Sequence, residues 1–108
     1  MDAWELDDLE RDRAASGRRY HEFLSVPDLS AGVYVLDAGS LDPQPPHTED
    51  ELYYVIEGRG WITVGEDERE VGPGSCVFVA AAVPHRFHDI AERLMVLVAF
   101  GPAEGSRG

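Results

Sequence analysis

The chain has 108 residues, with 21 acidic against 9 basic side chains and a formal net charge of -12. That length supports one domain around one core, and an acidic field of this strength repels phosphate backbones and anionic lipid surfaces, which argues against nucleic acid and membrane partners. A single cysteine, Cys76, excludes a disulfide framework; with acidic residues at the N-terminus where a signal peptide would be basic, the chain reads as a cytoplasmic protein.

Residues 1–19 are polar and charged. Leu6, Leu9, Arg13 and Ala14 form one weak helical stripe behind an Asp7 cap, the pattern of a short N-terminal helix or arm. From residue 20 to residue 102 the pattern changes to short β-rich runs at 20–26, 31–36, 52–57, 60–64, 69–71, 76–79, 85–89 and 94–100. Eight strands at this spacing, with no amphipathic helix between them, predict an all-β sandwich or jelly roll. Residues 57–60 and 65–68 read as tight turns, and Gly72-Pro73-Gly74 breaks the chain before another strand. Cys76 lies in the apolar run Cys76-Val77-Phe78-Val79 and reads as a buried thiol. Residues 103–108 have nothing to bury and read as a flexible tail.

Two runs are apolar on both faces: Leu52, Tyr53, Tyr54, Val55 and Ile56 in one, residues 94–100 in the other. A half-solvated antiparallel strand alternates apolar with polar, so these outer faces need cover. A homodimer interface is the simplest cover, and the N-terminal arm folding back is the alternative.

The chemistry gathers in two segments. His47, Glu49, Glu51, Tyr53 and Val55 share parity, so wherever that stretch is extended they project to one side. An imidazole and a carboxylate on a face that runs into the core need a partner, and a cation would satisfy them. In the second segment His85, Phe87 and Asp89 share one face, while Arg86 and His88 take the other. His88 therefore reads as a surface or interface histidine.

Together the segments resemble the paired motifs of the cupin superfamily, G-x5-H-x-H-x3-E-x6-G and G-x5-P-x-G-x2-H-x3-N. Gly39, His47, Glu51 and Gly58 keep the spacing of the first, and Gly74, His85 and Asp89 that of the second, with Asp89 in place of the Asn. Pro45 stands where that family has a further metal-binding histidine, and Ala80 and Ala82 replace the Pro and Gly of the second motif. The resemblance implies a single-domain jelly-roll β-barrel holding one divalent metal ion through His47, Glu51 and His85. Two imidazoles and one carboxylate leave coordination positions open, and nitrogen and oxygen donors admit Fe, Mn, Ni or Zn.

Gln44 is a candidate fourth ligand. Glu49 and Tyr53 are candidates for handling a proton on a small-molecule substrate, with Trp61, Phe78 and Phe87 as pocket wall. The implied activity is a metal-dependent enzyme of dioxygenase, isomerase, lyase or cyclase type. The rival readings are a non-catalytic module that binds a small ligand or metal, and a metal-free structural barrel in which Glu51 pairs with an arginine.

Overall fold

The computed structural model describes residues 1–43 and 45–106. Its elements are α1 (Leu6–Ser16), β1 (Tyr20–Val26), β2 (Leu29–Leu36), β3 (Asp50–Val64), β4 (Asp67–Val71), β5 (Cys76–Val79) and β6 (His85–Gly101). Every strand pair is antiparallel, in the order β1-β2-β6-β3-β4, and β5 pairs with β3. The result is an all-β barrel with one short N-terminal helix.

Helix α1 forms where the stripe predicts it, but Asp7 is not its cap. Glu5 holds the N-cap position without a side-chain hydrogen bond, and Asp7 and Asp8 lie in the first turn, where carboxylates complement the positive end of the helix dipole. Gly17 ends the helix at φ 72°, a left-handed conformation that costs glycine no Cβ clash. Leu9 seats against Val33, Val35 and Met95, with Phe23 and Ile56 beside it, and burying one leucine contributes about 2 kcal/mol. Glu10 adds a tie across the junction, 2.6 Å from Arg93 on β6. The arm thus covers part of the outer sheet face.

Six strands form where eight were expected, because segments 52–57 and 60–64 run on as β3 and segments 85–89 and 94–100 run on as β6. The sequence 57–60 is therefore not a hairpin turn. Straight strands of 15 and 17 residues would extend about 50 and 56 Å, and the molecule is only 36 Å along its longest axis. Both strands must bend. The bend is taken up where the β3–β6 register shifts, between Val55 and Trp61. Gly58 sits in that stretch at φ 93°, and a Cβ there would meet the Arg93 carbonyl oxygen at 2.1 Å.

The register shifts also invert side-chain parity. Before them Glu51, Tyr53 and Val55 point inward; after them Gly60 and Ile62 do, and Trp61 faces out at 38% exposed. Trp61 is consequently not pocket wall. Phe78 is 61% exposed while Val79 is buried, so period-two alternation on β5 turns Phe78 outward, and Cys76 with it is exposed rather than buried. The interior is filled by Tyr34, Leu36, Tyr53, Val55, Ile62, Val71, Val79, Phe87, Ile90, Leu94, Val96, Val98 and Phe100.

Residues 103–106 do not behave as a segment with nothing to bury. Ala103 is buried, its N–H donates to the Pro27 carbonyl, and the Glu104 N–H donates to Ser30 Oγ at 2.8 Å. Gly105 N–H donates to Glu49 Oε1 at 3.0 Å. Residues 107 and 108 of the expected tail lie outside the described residues.

Candidate metal centre

His47 stands on the loop before β3, Glu51 is the second residue of β3, and His85 is the first of β6. The loop is tied to the barrel by buried Asp42, which accepts the Tyr34 hydroxyl at 2.6 Å and the Phe87 N–H at 3.0 Å. The turn before β6 is tied to the same loop: Ala82 N–H donates to the His47 carbonyl at 2.6 Å. Ala81 N–H donates to Asp50 at 2.8 Å. Ala82 adopts φ 64° and Asp89 φ 47°, the left-handed region that explains why the resembling motif prefers Gly and Asn at these places. Alanine there costs about 1 kcal/mol, and aspartate tolerates it better.

One ligand atom from each of His47, Glu51 and His85 lies within 4.8 Å of the other two. Metal–ligand bonds of about 2.1 Å place neighbouring donors about 3 Å apart and opposite ones about 4.2 Å apart. The approach of His85 Nε2 to Glu51 Oε1, 3.1 Å, matches a neighbouring pair.

The chemistry of that pair asks for something between the two groups. Both side chains are 1% exposed, and His85 Nε2, Glu51 Oε1 and Glu51 Oε2 are buried without a hydrogen bond. The close pair is thus at ion-pair distance but not aligned for donation. His85 Nδ1 lies 2.9 Å from the Val83 carbonyl; a carbonyl only accepts, so Nδ1 carries the proton. Neutral His85 then presents its Nε2 lone pair to a carboxylate, which is repulsive unless a proton or a cation intervenes. Burial pulls the His85 pKa down, but Glu51 and the Val83 carbonyl outweigh it and hold it above the ordinary histidine value. A buried imidazole with one nitrogen fixed by a carbonyl and the other turned to a buried carboxylate is the form in which histidine ligates a metal. The donor set fits a divalent cation.

His47 is held in a parallel way. Its Nδ1 lies 3.2 Å from Glu104 Oε2, so a carboxylate from the C-terminal turn faces one nitrogen, and the ring packs 4.8 Å from Phe100. Burial raises the Glu104 pKa, partly opposed by His47. Glu104 carries no strand parity or motif position, and no sequence signal pointed to it.

Glu49 is buried, but both its oxygens are engaged, Oε1 by Gly105 N–H and Oε2 by the Thr48 hydroxyl. That arrangement anchors the C-terminal turn. Tyr53 is fully buried, its ring 6.0 Å from His85 and 4.9 Å from Phe87, and Phe87 packs with it in the barrel core. Phe78 borders a separate cavity of about 210 Å³ between β3, β4 and β5. Gln44 lies outside the described residues, and Pro45 is exposed. His88 is less exposed than its parity suggested: on the outer face it is enclosed by Thr63 at 2.8 Å, Asp89 at 2.6 Å and Glu68 at 3.4 Å. Among the described residues Glu51 forms no ion pair with an arginine; the basic group it faces is His85.

Comparison with known proteins agrees with the barrel fold. Residues 32–100 match the family model described as the cupin domain. An uncharacterized protein of Streptomyces coelicolor is 50% identical over 104 residues, covering 96% of this chain and 99% of that protein. The solved structure of TT1209 from Thermus thermophilus superposes with a TM-score of 0.74 at 24% identity, covering 94% of this chain and 98% of that one. That of the DMSP lyase DddQ from Ruegeria pomeroyi gives 0.69 at 25% identity, over 82% of this chain and 49% of the lyase. No helix among the described residues is long and apolar enough to cross a membrane.

Proposed function

The chain belongs to the cupin domain family, and on that premise we propose that it is a metal-dependent enzyme acting on a small molecule, with one divalent cation held by His47, Glu51 and His85. The observation that carries the reading is the trio of buried atoms, His85 Nε2 and the two Glu51 oxygens, that face one another without hydrogen bonds. A polar group left so in a core costs about 1–3 kcal/mol, and a charged one more; a cation offsets that cost.

The chain's own residues supply the rest. Val83 and Glu104 orient the two imidazoles, Phe100 shields His47 from water, and Tyr53 holds a phenolic proton beside His85. A bound divalent cation would polarise a substrate oxygen, and iron would also admit dioxygen chemistry. Among dioxygenase, isomerase, lyase and cyclase activities, the likeness to a DMSP lyase supports the lyase type, at 25% identity. The outward Leu52, Tyr54 and Phe78 support a homodimer.

Elemental analysis tests the centre: about one divalent ion per chain is expected, falling to near zero in His47→Ala. Incubation of the loaded protein with small molecules that co-purify with it tests the activity. Product formed only when metal is present is the expected result. A ligand bound tightly and recovered unchanged would make the protein a binding module.

A further inference from the structure

A cavity of about 190 Å³ opens beside the candidate centre, lined by Tyr20, Tyr34, His47, Val98, Phe100 and Glu104. Its size has a chemical meaning, since an apolar cavity of roughly 150 Å³ accommodates benzene. A single ring with one short substituent fits.

Among the described residues of the wall, one buried polar atom lacks a hydrogen bond. The Tyr34 hydroxyl is committed to Asp42, and one Glu104 oxygen faces His47. The Tyr20 hydroxyl is buried with no hydrogen-bond partner. It reaches that place because residue 32 is glycine: a Cβ on Gly32 would lie 2.4 Å from the Tyr20 oxygen. The ring folds inward over the β2 backbone, 6.3 Å from Tyr34 and 6.5 Å from Phe100. Burial, with Glu104, Glu22 and Glu51 nearby, raises the Tyr20 pKa, so the hydroxyl keeps its proton and is a donor.

The charge on this wall is of one sign. Among the described residues no arginine lines the cavity, whereas Glu104 does. Glu49 and Glu51 lie close enough to influence Glu104. An anion placed here meets the Glu104 carboxylate and, among the described lining residues, no arginine.

We infer that this cavity seats the small molecule, and that it takes a neutral or cationic molecule of single-ring size whose oxygen accepts a hydrogen bond from Tyr20. The cavity's role as the seat of a reactant rests on the metal-centre reading, but its own selectivity does not.

The test is an amide NMR titration of metal-stripped and Zn(II)-loaded protein with benzyl alcohol, benzylamine and benzoate. Benzyl alcohol and benzylamine are expected to shift Val98 and Phe100 in both states, with benzoate at least tenfold weaker in the stripped protein. Tyr20→Phe keeps the ring and removes the donor; it should weaken benzyl alcohol about fivefold while the amide spectrum and zinc affinity stay as in the wild type. Benzoate binding the stripped protein as tightly as benzyl alcohol would overturn the inference, as would Tyr20→Phe without effect. If zinc binds and no probe does, this inference falls alone. If no zinc binds but probe binding remains sensitive to Tyr20, the metal centre falls and the selectivity of the cavity stands.

Discussion

Replacing Glu51 by glutamine separates a metal ligand from an ordinary buried pair. In stripped protein at a pH above the raised His85 pKa, the imidazole is neutral. Its Nδ1–H is committed to Val83, and its Nε2 lone pair faces a carboxylate oxygen 3.1 Å away. Glutamine can donate to that lone pair where glutamate cannot. One new buried hydrogen bond contributes about 1 kcal/mol, and a buried charge is removed as well. For a domain of this size 1 kcal/mol moves Tm by about 4 °C or more, so the stripped Glu51→Gln protein should melt that much higher than stripped wild type. With metal the order reverses. A divalent ion at 100 times its Kd stabilises the folded wild type by about 2.7 kcal/mol, which raises Tm by about 10 °C, while the variant should show little response. Paired scanning-calorimetry melts with chelator and with Zn(II) read both effects. A stripped variant that melts about 10 °C below wild type, or one that keeps the full response to zinc, refutes the reasoning.

Acid should act in opposite directions on the two forms. The raised His85 pKa means that the His85–Glu51 pair stabilises the stripped protein fully below the ordinary histidine pKa, and that this contribution is lost as pH rises through the folded value. Metal competes with the same proton, so affinity by chelator competition should fall as pH drops through that value; flat affinity across the histidine range contradicts the ligand assignment. Glu104→Gln should weaken zinc about tenfold through the orientation of His47, within the usual range for groups behind a ligand, and an unchanged zinc Kd would mean that Glu104 does not position the ring. Phe78→Glu, on an exposed site beside Leu52, should shift the mass measured by light scattering from dimer to monomer. A wild type that is monomeric at all concentrations removes the proposed homodimer.

Local rules made much of this protein legible. Period-two parity placed Glu51, Tyr53, His85 and Phe87 on inward faces, and two segments with family spacing pointed to His47, Glu51 and His85 as one group. Those inferences needed only alternation within a strand and the fixed spacing of residues along it. Trp61, expected as pocket wall, faces out because register shifts around Gly58 invert the alternation, and a bend is set by the closure of the barrel rather than by any residue's own preference. The bend likewise joined pairs of expected strands into β3 and β6. Glu104 reaches His47 from the far end of the chain, and Tyr20 lies over Gly32 because β1 pairs with β2. Such contacts between distant segments exist only once the sheet has closed, because strand pairing and not sequence proximity brings those side chains together.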